Sequence, residues 1–127
     1  MAAFRRWLAT NRALDLPGYD ALWAWSVAEP GDFWQAVADF FDVAFHDRPS
    51  QALAREVMPG AEWFPGATLN YAEHALRPGE GKADDDLAVI FRREDGYTER
   101  LTYGQVREQV AAVRAGLADL GVREGDR

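Results

Sequence analysis

Thirteen of the sixteen Phe, Trp and Tyr residues fall within positions 1–71, and that concentration constrains the fold more than any other feature. Each ring system offers roughly 150–250 Å² for burial. The segments carrying them are short, because Pro17-Gly18, Pro30, Pro49, Pro59-Gly60 and Pro65-Gly66 interrupt any long period. Short helices leave much of their perimeter uncovered, so the expectation is that these aromatics need a larger body to pack on.

The periodicity predicts three helices in this half. Phe4, Trp7, Leu8 and Leu14 recur at near-helical spacing until Pro17-Gly18. A second helix is expected from Tyr19 to Val27, with Asp20 in its first turn favouring the helix dipole. Ser26 and Glu29 have the letters of a capping box, yet Pro30 biases Glu29 away from the α region, so a break is expected there. The third helix opens on Pro30 and carries Phe33, Trp34, Val37, Phe40 and Phe41 on one face. Residues 42–62 have no clear period and read as connection, with one helical turn around Ala52 to Val57.

The stretch WFPGATLNYAE, Trp63 to Glu73, joins a rigid turn to a helix start. Pro65 fixes its own φ and Gly66 accepts a conformation closed to other residues, which presents Trp63 and Phe64 as adjacent anchors expected to be buried. Asn70 and Glu73 have capping-box spacing, with the amide taking a first-turn N–H and the carboxylate reaching back. The short helix carrying Tyr71, Ala75 and Leu76 should stop at Pro78-Gly79. An acidic loop, Glu80 to Asp86, then separates a helical segment over 1–79 from a second segment over 80–127.

That second segment begins with Leu87-Ala88-Val89-Ile90-Phe91, an apolar run that predicts a strand covered on both faces. Asp95-Gly96 predicts a two-residue hairpin returning through Tyr97 to Leu101. Thr102 and Gln105 form a second capping box, with Leu101 and Val106 as its hydrophobic staple. Val106, Val110, Val113, Leu117 and Leu120 make one apolar stripe, and Gly121-Val122 supplies a left-handed end that falls back on Leu117. Gly116, inside this helix, suggests the close approach of another backbone. The fold class is therefore α/β, a helical segment followed by a hairpin and helix that begin a larger sheet.

Composition excludes several functions. The net charge is −7 and both halves are acidic, so neither offers the basic surface that phosphate backbones or anionic lipids attract. Nucleic-acid and membrane partners are not expected. The absence of cysteine excludes disulfides and thiolate chemistry, and fits a reducing, cytoplasmic compartment. Phe4-Arg5-Arg6-Trp7 is followed by Ala9-Thr10-Asn11-Arg12 rather than an apolar run, which rules out an export signal.

Three groups of residues invite a chemical reading and none holds one. His46 beside Asp47 reads as a solvated loop histidine, and His74 is distant in sequence with no third ligand at metal spacing. Asp84-Asp85-Asp86 lacks the glycine and glutamate spacing of a calcium loop. Gly79-Glu80-Gly81-Lys82 has no preceding apolar strand and is followed by carboxylates that would repel phosphate. No catalytic, cofactor-binding or metal-ligating residue is assigned.

Four segments in register carry a resemblance: YDALWAWSV from Tyr19, DFWQAV from Asp32, WFPGATLNYAE from Trp63, and LTYGQVREQVAAVRAGLADLGVREGDR from Leu101. Together they resemble the N-terminus of AMP-forming acyl-CoA synthetases of the acetyl-CoA synthetase type. WSV and LNYAE are more similar to the acetoacetate–CoA ligases than to the acetate or propionate enzymes; His74 departs from the asparagine usual after YAE. The resemblance implies a ligase that converts acetoacetate, ATP and CoA to acetoacetyl-CoA, AMP and diphosphate through an acyl-adenylate. It implies ATP, magnesium and CoA for the whole enzyme and none of them for these residues. Gly125-Asp126-Arg127 falls where that family turns into a buried parallel strand, so the expectation is an N-terminal fragment whose partner is the rest of the adenylating domain. The alternative is a free-standing acidic module that binds another protein through its Trp and Phe face.

Overall fold

The computed structural model describes residues 1–79 and 81–127, so Glu80 of the acidic loop lies outside the described residues. The chain forms two compact units, Met1–His74 and Ala75–Arg127.

In the first unit, α1 (Ala2–Arg12), α2 (Gly18–Ala28) and α3 (Pro30–Phe40) follow the predicted helices closely. α1 ends earlier than its apolar spacing suggested, because Ala13 turns left-handed at φ 52° and the Leu14 N–H donates back to the Leu8 carbonyl at 3.2 Å. Leu14 lies past the helix and still packs on the core. Between α2 and α3, Glu29 leaves the helical region and Pro30 opens α3, while the Ser26 hydroxyl donates to the Trp23 carbonyl at 2.8 Å instead of capping. The break expected at Pro30 is present.

The core is Phe4, Leu8, Leu22 and Ala36, with Trp7, Trp25, Phe33, Val37 and Phe40 packed around it. Ala36 is the reason the helices meet: a methyl group at the contact lets α3 approach closely while Phe33 and Phe40, one turn to either side, reach across. Phe4 meets Phe33 edge-on at 6.1 Å and Phe40 at 5.1 Å, and Trp25 meets Phe33 at 5.7 Å. The three helices bury only Phe4 fully, leave Trp7, Trp25, Phe33 and Phe40 half-buried and leave Tyr19, Trp23, Trp34 and Phe41 exposed, in keeping with the expectation that short helices do not bury their aromatics among themselves. The predicted single face of α3 is split. Phe33, Val37 and Phe40 point inward, whereas Trp34 and Phe41, seven residues apart, share the exposed side.

Residues 42–69 hold two antiparallel ladders in place of unstructured connection: β1 (Phe45–Asp47) with β4 (Thr68–Leu69), and β2 (Leu53–Arg55) with β3 (Glu62–Trp63). The helical turn expected at Ala52 to Val57 is a strand, because Leu53 and Arg55 pair with Trp63 and Glu62. The Phe64 N–H adds a bond to the Ala52 carbonyl at 2.8 Å, and Arg55 closes the intervening loop on the Gly60 carbonyl at 2.7 Å. Non-local pairing here overrides a weak local signal. Pro65 and Gly66 occupy the centre of a turn closed by Ala67 N–H on the Phe64 carbonyl at 3.1 Å, with Gly66 at φ 73°. Phe64 rests on Phe45 with centroids 5.8 Å apart. Trp63 is not buried as expected: it is 42% exposed and meets Trp34 edge-on at 6.3 Å. α4 (Tyr71–Leu76) follows the turn as predicted.

In the second unit, β5 (Leu87–Arg92) and β6 (Thr98–Thr102) form a hairpin and α5 (Tyr103–Asp119) continues from it. The connection differs from the predicted two-residue turn. Arg93 N–H bonds the Tyr97 carbonyl and Gly96 N–H bonds the Arg93 carbonyl, leaving three loop residues with Gly96 left-handed at φ 88°. Asp95 selects this form by accepting the Tyr97 N–H on its own carboxylate at 3.1 Å. β5 is not covered on both faces; Leu87, Val89, Ile90 and Phe91 are exposed. The Thr102–Gln105 capping box is made in both directions, at 3.3 and 2.9 Å. Val122 N–H closes on the Leu117 carbonyl at 3.1 Å with Gly121 left-handed, as predicted. Most of the α5 stripe, from Val110 to Leu120, is uncovered. Gly116 has nothing near the place a Cβ would occupy, and the close approach is at Gly104, whose Cβ would lie 3.0 Å from the Asp84 carbonyl oxygen.

Two stability predictions follow from this packing. Leu8 is fully buried, so Leu8→Ala should cost about 2–5 kcal/mol, while Trp63→Ala, at a half-open site, should cost less than half as much; urea unfolding of both variants checks the order. Gly104→Ala should destabilise the second unit by about 1–3 kcal/mol, because backbone must move. Gly116→Ala should stabilise it by about 0.5–1 kcal/mol, and helical circular dichroism on heating distinguishes the two.

Candidate functional site

The polar groups that sequence left scattered are gathered on one seam of the first unit, where β1, β4 and the start of α4 meet. Asn70 Oδ1 accepts the Glu73 N–H at 3.0 Å, which is the cap the spacing predicted. The other half of the predicted box is replaced: Glu73 Oε2 lies 2.8 Å from His46 Nε2. A carboxylate can only accept, so His46 Nε2 carries the proton in this pair. His46 is solvated as expected, but it is a strand residue with a partner and not a loop histidine. Next to it, the Asp47 N–H donates to Thr68 Oγ1 at 3.2 Å, and Thr68 returns its hydroxyl proton to Asp47 Oδ2 at 2.6 Å. His74 Nδ1 accepts the Ala44 N–H at 3.3 Å.

A histidine oriented by a carboxylate is half of an acid–base device. Here His46 gives its Nε2 to Glu73, and both side chains are more than half exposed to water that screens the pair. Such a contact contributes up to about 1 kcal/mol. The seam binds β1 to α4. Sequence reasoning treated His46, Glu73 and His74 as separate because His46 and Glu73 lie 27 positions apart in the chain; no local pattern could have joined them.

In the glycine–lysine segment of the second unit, the described polar groups are engaged by neighbouring backbone. Lys82 Nζ donates to the Ala75 carbonyl at 3.1 Å, and the Asp86 carboxylate accepts the Ala83 N–H at 2.8 Å. Arg107 fixes the same loop through the Leu76 carbonyl at 2.9 Å, the Lys82 carbonyl at 3.2 Å and the Asp84 carboxylate. Lys82 and Arg107 thus tie this loop to the end of α4. Arg107 was missed from sequence because a single arginine in a helix's first turns carries no signature. The first unit also holds a wholly apolar groove of about 230 Å³ between α1, α2 and α3, lined by Met1, Phe4, Leu22, Phe33, Val37 and Phe40 among others. No helix among the described residues is long and apolar enough to cross a membrane.

The segment that forms α2, α3, both small ladders and α4 is the part a family description recognises: residues 19–75 match the acetyl-coenzyme A synthetase N-terminus. Over the full chain, similarity extends to an acetoacetyl-coenzyme A synthetase of Rhizobium meliloti, 36% identical across 100% of this chain and 19% of that protein. A malonamoyl-CoA synthetase of Penicillium aethiopicum is 31% identical over 100% of this chain and 18% of its own length. Among solved structures, the acetoacetyl-CoA synthetase from Streptomyces lividans superposes with a TM-score of 0.83 at 46% identity, covering 98% of this chain and 19% of that one. The chain therefore spans about a fifth of the length of the relatives it matches. The resemblance read from YDALWAWSV, DFWQAV, WFPGATLNYAE and the α5 region is upheld, and the family boundary at residue 75 falls inside α4. Relatives named for two different acyl groups, acetoacetyl and malonamoyl, share this region.

The seam's energetics give a check on its structural role. Asn70→Ala should cost about 1 kcal/mol through the lost cap, and His46→Ala less than that because its partner is screened; the ranking is measured by urea unfolding followed through tryptophan fluorescence.

Proposed function

We propose that this chain is the N-terminal portion of an acetoacetate–CoA ligase and serves it as scaffold. The enzyme would couple acetoacetate, ATP and CoA to give acetoacetyl-CoA, AMP and diphosphate through an acyl-adenylate. The observation that carries this reading is similarity along the whole chain to the Streptomyces lividans enzyme, at 46% identity and a TM-score of 0.83. A second feature supports it: β5 and the Val110 to Leu120 stripe of α5 present apolar surface of the kind a further sheet and helix layer would cover.

In this reading ATP, magnesium and CoA are held by other parts of the enzyme, since Lys82 and the 82–86 loop are committed to their own backbone. The chain's partner is the remainder of the adenylating domain, and the enzyme works in the cytoplasm, a compartment that the lack of cysteine in these 127 residues fits.

The test has two arms. With acetoacetate, ATP and magnesium, the chain alone should release no pyrophosphate above background; release would refute the scaffold role. Added to the Streptomyces lividans enzyme lacking its matching N-terminal region, the chain should restore acetoacetyl-CoA formation, and failure to restore it with a folded chain would count against the proposed parentage.

A further inference from the structure

Three consecutive N–H groups lead from the end of α3 into β1, and the acceptors they find are not alike. Val43 N–H bonds the Ala38 carbonyl at 2.9 Å, and Phe45 N–H bonds the Val43 carbonyl at 3.0 Å. Between them, Ala44 N–H is taken by His74 Nδ1 at 3.3 Å, 30 positions along the chain. A carbonyl accepts at every pH. An imidazole nitrogen accepts only while its lone pair is free, so this bond requires neutral His74 with its proton on Nε2. A second proton turns Nδ1 into a donor facing a donor, and the bond is lost.

At the neighbouring position of α4 the requirement is reversed. His46 Nε2 already carries the proton it gives to Glu73 Oε2 at 2.8 Å. A second proton on that ring adds a charge opposite to the carboxylate and leaves the donor in place. The segment entering β1 is thus tied to α4 at two adjacent points, one that acid breaks and one that acid keeps. The other ionisable groups on the segments meeting here are Asp42 before β1, Asp47 in β1, Tyr71 in α4 and Arg77 just after it, while β4 contributes none. Asp47 is engaged by the Thr68 hydroxyl. The Asn70 amide that caps the Glu73 N–H does not titrate. His74 is also the last residue of the first unit, so its tie helps to fix where the chain leaves that unit.

We propose that His74 is an acid-released latch: neutral, it holds the backbone at Ala44 to α4, and protonated, it lets that backbone go while the His46–Glu73 contact stays. The joint then changes from two ties to one pivot. The latch is closed on the alkaline side and opens as pH falls from about 8 to about 5.5, the span in which imidazoles take a second proton and carboxylates remain ionised. It lies wholly within the first unit and does not depend on the ligase reading.

Amide hydrogen exchange of the full chain, resolved by NMR at the two ends of that span and normalised to the exchange of an unstructured peptide, reads the latch directly. Protection at Ala44 should fall about fivefold on acidification, the worth of roughly one hydrogen bond, while protection at Glu73 should hold within about twofold because its acceptor is an amide. His74→Asn places an amide oxygen near the position of Nδ1 and should keep Ala44 protected at both ends. The nitrogen chemical shifts of the His74 ring, which need no variant, should report the Nε2–H tautomer on the alkaline side. A ring in the Nδ1–H tautomer, an Ala44 amide that is unprotected or indifferent to pH, a fall at Glu73 equal to that at Ala44, or a fall at Ala44 in His74→Asn equal to that of the unaltered chain each overturns the proposal.

Discussion

The approach of α3 to α1 and α2 at Ala36 is the contact on which the first unit depends. Ala36 is fully buried, and the small side chain permits Phe33 and Phe40 to engage Phe4, Trp7 and Trp25 in edge-on contacts. A larger residue there would hold the helices apart and leave Leu8 and Leu22 without cover. Each aromatic pair adds about 0.5–1.5 kcal/mol beyond the area it buries, so geometry at one methyl group governs many contacts.

The rest of the first unit is held by a different kind of force. The ladders of residues 45–69 are two or three residues long and bury little, apart from Ala52. They persist because backbone pairing is supplemented by local closures: the Pro65-Gly66 turn, Arg55 on Gly60, Thr68 with Asp47, and His46 with Glu73. Individually each is weak. Together they fix the path from β1 to α4.

The second unit is ordered by terminal chemistry more than by burial. A reciprocal capping box starts α5, a left-handed glycine ends it, and Arg107 ties the preceding loop to its first turns. None of its helix or strand residues is buried. Its apolar faces are prepared for contact and not engaged in it among the described residues, which is consistent with a layer that completes elsewhere in a longer protein.

What the sequence determined by itself was whatever local chemistry decides. The break at Pro30, the cap at Asn70, the box at Thr102, the left-handed end at Gly121 and the N-terminal resemblance each depend on residues within a few positions of one another. What the sequence could not decide was contact between distant segments. The pairing of Leu53 with Trp63, the union of His46 with Glu73, the partition of α3 into an inner face and an outer Trp34–Phe41 face, and the close approach at Gly104 rather than Gly116 were set only when the chain closed on itself. The aromatic excess illustrates the division: composition showed that the rings required burial, and only the tertiary structure decided which of them α1, α2 and α3 cover for one another, Phe4 fully and Trp7, Trp25, Phe33 and Phe40 in part.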